Sequence, residues 1–176
     1  LNDNKFVQIA DVELPDAQLP VKGMGDWAIV STSKPYSLSS MWEGRTRADY
    51  HKVSLVTGER TLISEADYAN YRLSSTGKYA GTYNATDSCW YTINLADNRK
   101  IQLTTPQTFP AWDEDNDVPN YPSPHGMAGW AQGDAALLIY DRYDIWSFDP
   151  EGKKAPVRLT KNRRENQGTY RRIVLD

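Results

Sequence analysis

The segment Leu73-Ser-Ser-Thr-Gly77-Lys-Tyr-Ala-Gly-Thr-Tyr83-Asn-Ala-Thr-Asp-Ser-Cys89-Trp-Tyr-Thr-Ile-Asn-Leu95-Ala-Asp-Asn-Arg-Lys-Ile-Gln-Leu103-Thr104 reads as short elements in a fixed order. Ser74–Lys78 has turn chemistry, since Gly77 can take a positive φ and serine hydroxyls can bond the nearby backbone. Tyr79–Tyr83 follows as a strand, Asn84–Ser88 as a turn, and Cys89–Leu95 as a second strand. In that second strand Cys89, Tyr91, Ile93 and Leu95 fall on one face and Trp90, Thr92 and Asn94 on the other. A polar turn at Ala96–Asn98 then leads into a short basic strand that closes on Leu103-Thr104.

The order recurs on both sides. Upstream, Trp27-Ala-Ile-Val30, a long polar loop and Tyr50–Leu55 end in Leu55-Val-Thr-Gly-Glu-Arg-Thr-Leu62-Ile-Ser64. Downstream, Ala136-Leu-Leu-Ile-Tyr140 and Tyr143-Asp-Ile-Trp-Ser-Phe148 end in Asp149-Pro-Glu-Gly-Lys-Lys-Ala-Pro-Val-Arg-Leu159-Thr160. The closing leucines Leu62, Leu103 and Leu159 are spaced by 41 and 56 residues. The first spacing is that of a four-stranded propeller blade, about 40–45 residues. The second carries an insertion, Thr105–Gly126, rich in Pro, Asp and Asn. The pattern therefore predicts an all-β fold, a partial β-propeller of about three four-stranded antiparallel blades. These lie at about 20–64, 70–104 and 128–160, with a long loop at 105–126 and the start of a further strand at 168–176. The best helical stretch is Ser64–Asn70, enough for one capped turn.

Composition narrows the function. The 176 residues carry a net charge of −3, which argues against a dedicated nucleic-acid binder. No run of 18 apolar residues predicts a membrane-spanning helix. One cysteine, Cys89, excludes an internal disulfide and reads as a small buried hydrophobe. Two histidines, His51 and His125, leave little for zinc or for histidine-dependent catalysis. The balance favours a binding or structural module over an enzyme.

The stretch Leu73–Tyr79, the strand after it, Leu95-Ala-Asp-Asn-Arg-Lys and the closing Leu103-Thr104 resemble the TolB-type propeller repeat. Ser75-Thr76 stands where that repeat usually has Pro-Asp, and Gln132-Gly133 occupies the corresponding place downstream. A narrower resemblance rests on Asp117-Val-Pro, Tyr121-Pro-Ser-Pro-His-Gly126, Ala128-Gly-Trp130, Leu138–Trp146 and Tyr170–Asp176. These are similar to the N-terminal propeller of bacterial, Bacteroidetes-type serine peptidases of the prolyl oligopeptidase and dipeptidyl peptidase IV group. The resemblance implies a propeller that filters peptide substrates above a C-terminal α/β-hydrolase domain, in the periplasm or cell envelope. It supplies no catalytic residue here: no Gly-x-Ser-x-Gly occurs, and the paired glutamates of the dipeptidyl peptidases have no counterpart.

Several local constellations were candidates for chemistry. Asp113, Asp115 and Asp117 alternate as oxygen ligands for a hard cation such as Ca²⁺, although Val118 replaces the glycine of a calcium loop. Trp112, Tyr121 and His125 stand in or beside the long loop as possible peptide or ligand contacts, with Trp42 in the other long loop. Ser31–Lys34 and Ser75–Lys78 match Ser-x-x-Lys, but they sit in strand or turn context rather than on the helix that lets the amine take the hydroxyl proton, and the companion motifs are missing. Residues 161–172 hold five basic side chains and read as a solvated loop, and Asn84-Ala-Thr86 is a glycosylation sequon. Trp90, Trp130 and Trp146 sit at repeat positions and are expected between blades.

The sequence thus predicts a non-catalytic propeller segment of a prolyl-oligopeptidase-like peptidase, gating peptide access to a separate domain. The alternative is a stand-alone TolB-type module that binds protein or glycan through the 105–126 loop. On the first reading the segment is expected to be a piece of a larger propeller, on the second a short open one, and open sheet edges would make it prone to self-association.

Overall fold

The computed structural model describes residues 6–161 and 168–173. Twelve strands form three separate four-stranded sheets, each an antiparallel meander in chain order. The first comprises β1 (Asp16–Gln18), β2 (Trp27–Thr32), β3 (Ala48–Ser54) and β4 (Arg60–Asp67). The second comprises β5 (Arg72–Leu73), β6 (Tyr79–Asn84), β7 (Cys89–Asn94) and β8 (Arg99–Gln102). The third comprises β9 (Met127–Trp130), β10 (Leu137–Tyr140), β11 (Ile145–Phe148) and β12 (Val157–Arg158). Among the described residues helix is confined to α1 (Ser40–Glu43) and three single 3-10 turns. Among the described residues no helix is long and apolar enough to cross a membrane.

The sheets stack face to face, which makes the molecule a partial all-β propeller of about three blades. Between the first and second blades lie Ile29, Tyr71, Ala80, Ile93 and Leu95, with Trp27 and Tyr50 against them. Between the second and third lie Tyr83, Trp90, Leu137, Ile139 and Phe148, joined by Phe109 from the long loop. Trp130 and Trp146 pack against the same cluster, as their repeat positions predicted. Strand β7 is buried on both faces, Ile93 turned to one neighbour and Trp90 to the other, because it is the inner layer of a three-layer stack. Truncating Leu137 or Ile139, each fully buried, would cost about 2–5 kcal/mol apiece.

Polar contacts fix the stacking. Thr92 Oγ1 donates to the Pro150 carbonyl at 2.6 Å, and Tyr79 OH to Glu151 at 2.5 Å. Lys52 Nζ, buried, donates to the Leu95 carbonyl at 2.5 Å and lies 4.3 Å from the centre of the Trp27 ring. The turn Ser74–Gly77 is held from both sides. Val21 N donates to its Ser75 carbonyl at 2.9 Å, and Asp134 of the third blade accepts the hydroxyls of Ser74, Ser75 and Thr76. Gly77 has φ +74°, and a Cβ there would lie 2.7 Å from Pro20 Cγ and 2.8 Å from the Trp27 carbonyl, so only glycine fits.

Three features differ from the sequence reading. Ser64–Asp67 is strand rather than a helical turn, because pairing with β3 outweighs local capping. A bulge there places Ala66 at φ +51°, with its N–H on Asp49. The first inner strand, β1, lies at 16–18, ahead of residue 20; three residues give no readable alternation. Residues 168–173 form no strand but run over the third blade, with Tyr170 N on the Tyr143 carbonyl and Arg172 N on Tyr140 OH; 174–176 lie outside the described residues. On the opposite flank, Ile9 and Leu14 cover Val30 and Val53 of the first blade.

Candidate binding cleft

A cleft of about 500 Å³ opens where four segments meet. They are the β2–β3 loop, the link from β4 into β5, the β6–β7 hairpin and the last residues of the long loop. Its volume lies in the ordinary range for ligand sites, about 300–1,000 Å³.

Each wall has a local cause. After β4, Asp67 accepts Ala69 N at 2.9 Å and Tyr71 OH at 3.2 Å, turning the chain past Tyr68 and Asn70 into β5. The Gln18 amide then bridges the first two blades, donating to the Tyr71 carbonyl at 2.8 Å and accepting Leu73 N at 3.1 Å. Arg72 is therefore carried on a pinned strand, with its side chain exposed at the cleft. Opposite it, Arg45 donates to the Tyr121 carbonyl, with its guanidinium 5.7 Å from the Tyr121 ring centre. That contact fastens the long loop to the first blade.

The inner wall is aromatic: the Tyr83 and Trp90 rings lie 5.5 Å apart at 53°. Burial pushes the Tyr83 phenol above its ordinary pKa, so it is neutral at any physiological pH. The Trp90 indole N–H is buried and has no acceptor among the described residues. Among the described residues the lining contains two arginines, Arg45 and Arg72, and no carboxylate. Nearby Glu43 is already engaged, by Arg47 at 2.6 Å and by Tyr68 OH at 2.7 Å.

The residues singled out in the sequence are placed as follows. Tyr121, 52% exposed, stands at the rim beside the lining residue Pro122. His125 lies between the lining residues Pro124 and Gly126; its N–H is on the Ala111 carbonyl and its Nε2 is buried without a partner among the described residues. Burial, with Arg171 nearby, lowers the pKa of that imidazole. Trp112 packs against the second core cluster and bridges to Pro124, so it supports the loop from within.

The three aspartates do not converge. Asp113 accepts Asp115 N at 3.2 Å, Asp115 pairs with Arg142 at 2.7 Å, and Asp117 is exposed. Among the described residues no group of three or more His, Cys, Asp or Glu is placed to hold a metal ion. Neither Ser-x-x-Lys pair forms a dyad: the Ser75 hydroxyl is given to Asp134 at 2.7 Å while Lys78 Nζ lies 4.8 Å from the Tyr79 ring centre, and Lys34 reaches toward Glu13 at 4.0 Å. Most of the basic run at 161–172 lies outside the described residues.

The sequence reading missed Arg45, Tyr68, Arg72 and Met127, which come from three segments, Tyr68 and Arg72 from one link, and follow no repeat. Trp90 was read for packing only, and it does that while also lining the cleft.

No protein-family model matches the chain, and no curated protein matches it. Among solved structures it is similar to the β-propeller domain of the Trilobed protease from Pyrococcus furiosus, which has an open velcro topology. The TM-score is 0.49 at 14% identity, over 84% of this chain and 43% of that one. The chain thus spans less than half of the length it is matched to, and the likeness is one of fold.

Proposed function

We propose that the chain is a non-catalytic propeller segment of a prolyl-oligopeptidase-like serine peptidase, holding peptide at its cleft and gating passage to a separate α/β-hydrolase domain. What carries the reading is the cleft: its walls come from the ends of neighbouring blades and from a long proline-rich loop, not from within one blade. Such a site selects by shape and transient contact. A peptide laid there meets aromatic faces, proline edges and cationic donors, and nothing in the wall is arranged to attack it. The sequence supports the reading further, since its repeats resemble those of the peptidase propellers and it contains no Gly-x-Ser-x-Gly. An envelope location and a Bacteroidetes-type parent go with the same resemblance.

A second reading, a stand-alone TolB-type module for protein or glycan, has one observation in its favour. Leu38, Met41 and Trp42 are 73%, 75% and 78% exposed on the loop that leads to Arg45. One experiment separates the two. Tryptophan fluorescence is titrated with a mixed library of unstructured hexapeptides and with neutral oligosaccharides, and the reading frame encoding the chain is sequenced. Saturable quenching by peptides and a hydrolase domain in the same frame are expected. Saturation by oligosaccharide alone, or a frame with no hydrolase domain, overturns the peptidase reading.

A further inference from the structure

We propose that the cleft selects peptides by a carboxylate, with Arg72 as the recognising cation and Arg45 as a second donor. The inference rests on the peptide-binding reading above and names what is recognised.

The argument begins with donors that lack acceptors. The Arg72 guanidinium forms no ion pair or side-chain hydrogen bond with another described residue, its charge acting on the Tyr50 phenol, although it stands on a strand held by Gln18 on both sides. Arg45 spends one N–H on the Tyr121 carbonyl, and a guanidinium has five. The Trp90 N–H is buried and unanswered among the described residues, in a residue only 4% exposed. Every strong polar group in this set donates. The complementary ligand is one that only accepts, and a carboxylate, with two oxygens and a negative charge, is that group in a peptide.

The electrostatics point the same way. The chain as a whole carries −3, yet among the described residues the cleft lining holds two positive charges and no negative one. Glu43, the nearby acid, is tied up by Arg47 and Tyr68, and Asp67 is occupied by Ala69 N and Tyr71 OH. Part of the remaining wall, Ala85, Met127, Pro122 and Pro124, is apolar and would accommodate the side chain next to the charge, with Thr46, Asn70 and Ser123 as neutral polar neighbours. The carboxylate could be the C-terminus of a peptide or an acidic side chain, and the two are separable by amidation.

The test uses a fluorescein-labelled hexapeptide ending in leucine, prepared as the free acid, as the amide, and as an amide with glutamate in place of leucine. Anisotropy is followed for the wild type, Arg72→Gln and Arg45→Gln, each checked by thermal melting. Arg72 is exposed and its guanidinium makes no ion pair or side-chain hydrogen bond among the described residues, so R72Q is expected to fold unchanged. The expected result is that the wild type prefers a carboxylate peptide to the leucine amide by about tenfold or more, and that R72Q abolishes the preference while leaving amide binding intact. Preference for the free acid over the glutamate amide assigns the site to chain termini, and the reverse assigns it to acidic side chains. Equal binding of all three peptides by the wild type, or an equal loss for all three in R72Q, overturns carboxylate recognition and leaves peptide binding standing. No binding of any peptide overturns both.

Discussion

Replacing Asp134 tests how the second and third blades are locked together. This side chain is 5% exposed and sits at φ +58°, in the left-handed region that disfavours a residue with a Cβ. It accepts Ser74 Oγ at 2.6 Å, Ser75 Oγ at 2.7 Å, Thr76 N at 3.2 Å and the Thr76 hydroxyl. Burial alone would raise its pKa, but the hydroxyls of Ser74, Thr76 and Ser75 and the Thr76 N–H outweigh it, holding the carboxyl below 3.8. In Asp134→Ala the buried Ser74 hydroxyl loses its acceptor outright, whereas Ser75 and Thr76 are open enough for water to take over. Removing the buried charge offsets part of the loss. The net cost is about 2–4 kcal/mol, or about 5–15 °C in Tm for a domain of this size.

Urea unfolding at pH 7 measures the loss, and a cycle with Ser74→Ala isolates the coupling. The sign of the pH dependence is fixed as well. A carboxyl with a depressed folded pKa contributes stability above its unfolded value and loses it as pH falls through the folded one. The wild-type advantage over D134A should therefore be constant from pH 7 to about 4 and shrink below that. Two results refute the reasoning: a D134A loss under about 0.5 kcal/mol, or an advantage that grows on acidification.

Other perturbations probe separate contacts. Gly77→Ala should cost about 2–4 kcal/mol by urea unfolding, from the positive φ and the contacts with Pro20 and Trp27. Burial depresses the pKa of Lys52 below 10.5, so unfolding takes up a proton. Wild type should gain stability relative to Lys52→Met as pH rises from 8 toward 10.5, and parallel curves would count against a buried ammonium. Burial raises the pKa of Cys89, which is 2% exposed, so Ellman's reagent should react about a hundredfold more slowly in the native chain than in denaturant.

The fold was legible in the sequence because blade strands repeat and their turns carry Gly, Asn and Asp. The middle strands, such as Leu137–Tyr140 and Cys89–Asn94, are long and apolar enough to announce themselves. The inner strands were not legible. Arg72–Leu73 has two residues and is set in place by the Gln18 side chain, 55 positions before Leu73 in the chain, and no local pattern records such a contact. Ser64–Asp67 misled for the related reason that a capped turn and a bulged edge strand draw on the same polar residues, and pairing with Tyr50 decided between them.

The cleft shows why a repeat can reveal architecture and still conceal a site. Periodicity marks what every blade must do, which is to bury both faces of its central strands. A site arises where blades differ, and its residues share no period. Arg45 comes from a loop that only the first blade has, Pro122 and Pro124 from an insertion that only the third has, and Arg72 from the link between the first two. Tyr121 was within reach of sequence reasoning because its loop is long and aromatic, and Arg45 holds it at the rim. Trp90 was seen only as a core residue, since a repeat position specifies where the ring packs and is silent on its N–H. That N–H is one of several buried polar groups without a partner among the described residues, Thr82 and Trp130 among them, and no repeat pattern records which of them lies in a residue that also lines the cleft.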